Sequence, residues 1–218
     1  MTETLIIDLY TEITRPWCLV GQFRLDKVLA ERFPHLAVKI HHHPVLLLAG
    51  VPATGLYIPD LLRSRYGITD PKVAFARPEG EARVSGLEFD LNRQLWAYAT
   101  QPAHALILAA SERGTQHRLA VAITEAYFLG AKNIGDADVL AGIAADYGFE
   151  RAEAHAIALD PIQHKRVEQE AVRSAAAGVR SVPHFIFGGR NAISGGRSED
   201  EIALHIQEAA RAQVNQHL

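Results

Sequence analysis

Cysteine is almost missing from this chain: Cys18 is the only one in 218 residues. That excludes an intramolecular disulfide and any dithiol/disulfide cycle within one chain, and it fits a reducing, cytoplasmic compartment. An excess of one charge sign is missing too. Lys and Arg number 22 against 25 Asp and Glu, a net charge of −3, and the basic residues are scattered, so nucleic acid is not an expected partner. No apolar run approaches the roughly 20 residues that span a bilayer. The most apolar stretch, Pro44 to Ala53, is short and broken by proline. The N-terminus carries Glu3 and passes straight into a strand-like run, without a basic region, an apolar region and a cleavage site in sequence, so no leader is expected. Repeats and low-complexity tracts are absent as well.

What is present is core-forming material. Hydrophobic residues make up 48% of the chain, enough for one large domain or for one domain carrying an insertion. The run Thr4 to Tyr10 is short and rich in β-branched and aromatic residues, which predicts a buried strand. A turn follows, with Thr14 as N-cap and Pro16 at the first helical position, where a missing N–H costs nothing. Leu19, Val20, Phe23, Leu25, Val28 and Leu29 then recur at helical spacing up to Phe33-Pro34. Cys18 therefore lies about one turn inside a helix N-terminus.

A second strand is predicted over Leu36 to His41, parallel to the first. His41-His42-His43 would end it near the sheet rim. Strand side chains alternate, so at most two of the three converge, and with no acidic or cysteine ligand nearby in sequence no metal site is expected. Pro44 to Pro78, punctuated by glycine and proline, reads as loop with one short helical piece at Leu61 to Tyr66. Helices are predicted at Ala103 to Glu112, Gln116 to Leu129, from Asp136 or Asp138 to Tyr147, at Arg151 to Leu159, and from Asp160-Pro161 to Ala177. Trp96, Tyr98, Tyr127 and Phe128 could line a cavity, but core is the better reading. The pattern then turns back to strands: Ser181 to Gly189 and Asn191 to Gly196 form a hairpin, and Ser198 with Glu201 has capping-box spacing for a last helix carrying Ile202 and Ile206.

Strand, helix, strand, helical cluster, long helix, Val-Pro, hairpin, helix is an order that resembles the thioredoxin fold as elaborated in the DsbA superfamily. The likeness rests on Arg15-Pro16-Trp17-Cys18, Ala126-Tyr127-Phe128, Asn133-Ile134-Gly135-Asp136 and Ser181-Val182-Pro183-His184-Phe185-Ile186-Phe187. Specifically, the chain resembles the cytosolic FrnE-like branch, whose relatives include 2-hydroxychromene-2-carboxylate isomerases and kappa-class glutathione transferases. The resemblance implies an α/β thioredoxin fold interrupted by a helical insertion. Residues 1–60 and 161–218 would form the thioredoxin-like domain, and residues 61–160 the insertion. It also implies a cis Val182-Pro183 peptide, with the Val182 backbone able to pair with a peptide or with glutathione.

Arg15 stands where the family's redox members have their first, nucleophilic cysteine. Only Cys18, the resolving position, remains, as a weak nucleophile or a buried filler. An arginine beside free helix N–H groups suits a carboxylate, a phosphate or a thiolate. Three readings follow: a DsbA-like oxidoreductase by descent with a degenerate site; a glutathione-dependent isomerase or transferase on a small aromatic or polyketide-like substrate; or a non-catalytic peptide or metabolite binder. The expected site residues are Cys18 and Arg15, with Pro16, Trp17, Val182 and Pro183 holding the ligand. Glutathione is the one cofactor implied, a small-molecule thiol or a peptide the expected partner, and a homodimer stays open.

Overall fold

A computed structural model of the chain describes residues 4–48 and 50–215. Glu3, on which the leader reading rests, and Ala49, inside the most apolar stretch, lie outside them. The first strand, β1, runs Leu5–Thr11 and the second, β2, Val38–Pro44, with α1, Pro16–Arg32, crossing between them. The two strands are parallel, with Asp8 opposite His41 and Leu9 opposite His42. Near the C-terminus β5, His184–Phe187, and β6, Asn191–Ser194, form the predicted hairpin, and the sheet order is β2-β1-β5-β6. The closing helix α9, Glu199–Asn215, begins at the capping box: Ser198 Oγ accepts from the Glu201 N–H at 3.2 Å, while Glu201 Oε2 accepts from the Ser198 N–H at 2.9 Å.

Between β2 and β5 run β3 (Leu56–Tyr57), α2 (Ile58–Tyr66), α3 (Pro71–Val84), β4 (Trp96–Ala97), α4 (Gln101–Ala109), α5 (Gln116–Phe128), α6 (Ala137–Ala144), α7 (Arg151–Leu159) and α8 (Pro161–Ala176). The structure departs from the sequence reading in four places. The short helical piece predicted at Leu61 to Tyr66 is part of α2, but α3 stands from Pro71, inside the stretch up to Pro78 that reads as loop. Asp70 caps α3 by accepting from the Lys72 N–H, and Pro78 is kept inside that helix because Phe75, Pro78 and Ala82 form its buried face. Burial thus outweighs the roughly 3 kcal/mol that an internal proline costs a helix in isolation. Strand β2 continues three residues past the predicted end at His41, to Pro44, so His42 and His43 belong to it. Trp96 is 42% exposed instead of core, its ring lying against Tyr57 across the β3–β4 pair. Finally, the N-cap of α1 is Arg15 and not Thr14, with no side-chain cap; the Arg15 carbonyl accepts from the Cys18 N–H at 2.9 Å.

Two apolar clusters hold the molecule. One packs Leu5, Ile7 and Leu9 of β1 with Leu25 and Val28 of α1, Phe185 and Phe187 of β5, and Ile202 and Ile206 of α9. The other gathers Leu106, Leu119, Ile123, Tyr127 and Leu140 of the helical segment around Leu19 and Val20 of α1. Helix α1 is shared by both, so its start is held from two sides. Arg24 adds polar ties to the same helix. Buried, it donates to Ser85 Oγ at 2.7 Å and to the Arg197 carbonyl at 2.9 Å, and pairs with Glu81 at 2.8 Å. Among the described residues no helix is long and apolar enough to cross a membrane.

Candidate functional site

The start of α1 opens on a cavity of about 180 Å³ roofed by the helical segment. Arg15, Pro16 and Trp17 line it from α1, Leu61 and Leu62 from α2, and Phe75 from α3. Tyr127 and Phe128, predicted as core, are indeed buried, and they also form part of this wall. Arg15 is the only charged side chain among the described residues that line it. A cavity of roughly 150 Å³ takes a benzene ring, so the space suits the apolar part of a small molecule with an anionic group at Arg15. Tyr66, the last residue of α2, shares the lining with Arg15, whose guanidinium holds the phenol below its ordinary value against the opposing effect of burial. The sequence reading marked Tyr66 only as the end of a helical piece, because nothing local places residue 66 beside residue 15.

Trp17 is clamped. The Arg77 guanidinium lies 5.4 Å from its ring centroid, and the Gly196 backbone comes so close that a Cβ there would fall 2.2 Å from Trp17 Cε3. Val182-Pro183 is a cis peptide, and Pro183 packs on Gly21, where an added Cβ would come within 2.7 Å of Pro183 Cγ. Gly21 lies about a turn and a half along α1 from Arg15. Val182 does not join the Arg15 cavity. It lines a separate groove of about 420 Å³ with Leu46, Leu47, Ala171 and Val172, and its own N–H and C=O make no hydrogen bond with the described residues.

Cys18 lies beneath the site rather than in it. Its side chain is wholly buried, and burial pushes the thiol up to about 12; the Glu12 carboxylate adds to the rise, while a hydrogen bond from the Glu12 backbone and the charge of Arg15 oppose it. A protonated, inaccessible thiol is filler, the second of the two roles the sequence left open. At pH 7.5 such a thiol holds about a thousandfold less thiolate than an ordinary cysteine, so Ellman's reagent is expected to label the native protein at least that much more slowly than the denatured chain. Labelling of the native protein at the rate of a free thiol would contradict the buried geometry.

The three histidines divide as strand geometry requires. His41 and His43 face Asp8, at 3.7 and 2.8 Å, while His42 points inward. Asp26 accepts from His117 Nε2 at 2.7 Å, so His117 Nδ1, 2.8 Å from His42 Nε2, accepts from that imidazole. His42 Nδ1 is left buried without a partner. Among the described residues no group of three His, Cys, Asp or Glu side chains is disposed to hold a metal ion.

The arrangement has close counterparts of known structure. The probable DsbA oxidoreductase of Streptomyces coelicolor superposes with a TM-score of 0.81 at 23% identity, over 94% of this chain and 89% of that one. A 2-hydroxychromene-2-carboxylate isomerase gives 0.67 at 14% identity, over 97% of each chain. The cytosolic disulfide reductase DsbM from Pseudomonas aeruginosa, solved with GSH, gives 0.64 at 14%, over 98% of this chain and 100% of the other. At these identities the likeness is one of fold. No curated protein matches in sequence. The sequence pattern of the DSBA-like thioredoxin domain, however, matches residues 6–207, from the first strand into the closing helix. With the sheet, the helical insertion and the Val-Pro hairpin all in place, the chain belongs to the family of DSBA-like thioredoxin domains.

Proposed function

We propose that this DsbA-like protein works with an external thiol, glutathione or a close analogue, as an isomerase or transferase acting on a small apolar molecule. The observation that carries the reading is the exchange of roles at the start of α1. The only cysteine is buried and protonated, while the residue lining the cavity there is a cation. A site without a usable thiol of its own, but with a guanidinium at the mouth of an apolar space, suits a thiolate brought in from solution. Glutathione, when bound, supplies that thiolate. Arg15 would hold the anion. Leu61, Leu62 and Phe75 exclude water around the second molecule. In this reading Arg15 occupies the position of the family's first cysteine, and the protein acts in the cytoplasm, where glutathione is kept reduced.

Calorimetric titration with reduced glutathione tests this. Saturable binding is expected for the wild type, weakened about 10- to 100-fold in Arg15→Ala, the range expected when a charge-assisted hydrogen bond is lost. Absence of binding up to millimolar concentration would overturn it. A second reading draws on the groove beside Val182: a non-catalytic binder of extended peptides, paired through that backbone. A thiol-free peptide that binds while glutathione does not would favour it.

A further inference from the structure

An anion held at Arg15 does not by itself allow proton chemistry, because a guanidinium does not release its proton in a protein. The described residues lining the cavity include no His, Asp, Glu, Lys or Cys, and two phenols, Tyr66 and Tyr127. Tyr127 is committed elsewhere. Its hydroxyl donates to the Trp96 carbonyl at 3.0 Å, and burial drives its ionisation far above the ordinary range. Tyr66 differs on each count. It is 50% exposed, it lines the cavity together with Arg15, and its own proton has no partner among the described residues.

We infer that the Tyr66 hydroxyl is the proton-carrying group of this cavity, giving its proton to the anion that Arg15 holds and taking it back. The inference rests on the reading of Arg15 as an anion site and assigns that site its second ligand contact. The step balances without an oxidant or reductant: the Oη–H bond breaks, the proton bonds to a basic atom of the ligand, and the phenolate left behind faces the Arg15 guanidinium. The reverse restores both partners. The charged groups acting on the hydroxyl are Arg15 from the start of α1 and Arg65 from α2 itself, whose guanidinium carbon lies 5.9 Å from the ring centroid. The neighbouring α3 brings the uncharged Ala74, Phe75 and Pro78 to the cavity. The Arg15 guanidinium is the larger influence, and it favours the phenolate that the step requires.

The test follows tyrosinate absorbance with pH in the wild type, Tyr66→Phe and Arg15→Gln, each alone and with saturating benzoate or reduced glutathione as probe anion. One of the six tyrosines is expected to ionise ahead of the others in the free wild type. That step should vanish in Tyr66→Phe and move up in Arg15→Gln. A bound anion should raise it by about one pH unit, because a like charge disfavours the phenolate. By reciprocity the anion then binds more weakly above that step, and Tyr66→Phe abolishes this pH dependence. An unchanged titration in Tyr66→Phe overturns the inference, as does a step that neither anion moves, even where calorimetry shows glutathione bound. A step moved by benzoate in a protein that does not bind glutathione supports the proton-carrying role and overturns the glutathione reading alone.

Discussion

Gly196→Ala is expected to destabilise the protein by about 2 kcal/mol, in the range of overpacked sites. The cause is steric and local. A Cβ at this position would stand 2.2 and 2.4 Å from Trp17 Cε3 and Cζ3, well inside van der Waals contact. Turning Trp17 away would also disturb the Arg77 guanidinium of α3 that lies over its ring. Either the ring leaves its place in the cavity wall or the segment between β6 and α9 moves away from α1, and Arg24, which donates to the Arg197 carbonyl, ties that segment down. The measurement is a urea midpoint for Gly196→Ala, for Trp17→Leu and for the double variant. Because Trp17→Leu removes the obstructing ring, the double variant should be little less stable than Trp17→Leu alone. Equal losses on either background would show that the clamp is not the reason for glycine at 196. Trp96 is the only other tryptophan, so in a Trp96→Phe background the emission of Trp17 reports directly whether the ring has moved.

Acidification is expected to produce the second large effect, through His42. In an unfolded chain a histidine titrates near 6.5. In the fold His42 is held well below that value, by burial first and then by the neighbouring His117, His104, His43 and His41. Between the two values the unfolded state binds one proton more than the native state, so this contribution to stability is fully present above about pH 6.5 and is lost as pH falls toward the native value. The slope from this residue is up to about 1.4 kcal/mol per pH unit. Urea midpoints at pH 7.5 and 5.5 should therefore differ markedly in the wild type and less in His42→Gln, the comparison being of slopes because the variant also loses its hydrogen bond to His117. Identical slopes would mean that His42 is not the group that resists protonation.

Much of the fold was legible because its signals are local. Asp160-Pro161, Asp136 and the Ser198–Glu201 box each satisfy orphan helix N–H groups within three residues of themselves, and each marks a helix start. The stretch that forms α3 was misread for the opposite reason. Pro71 and Pro78 punctuate it, and the burial that keeps it helical comes from the distant helical core. The end of β2 was set too early because strand length depends on the partner: β2 continues to Pro44 as β1 continues to Thr11 opposite it.

The candidate site divides along the same line. Sequence by itself determined that no intramolecular disulfide can form and that a cation precedes Pro16-Trp17-Cys18 at a helix start, because residue identity and neighbour order decide both. Only the tertiary structure decided that Cys18 is buried, that Arg15 and Tyr66 meet at one cavity, and that Val182 faces a different groove. Burial and convergence depend on how distant elements pack around α1, and no local propensity carries that information.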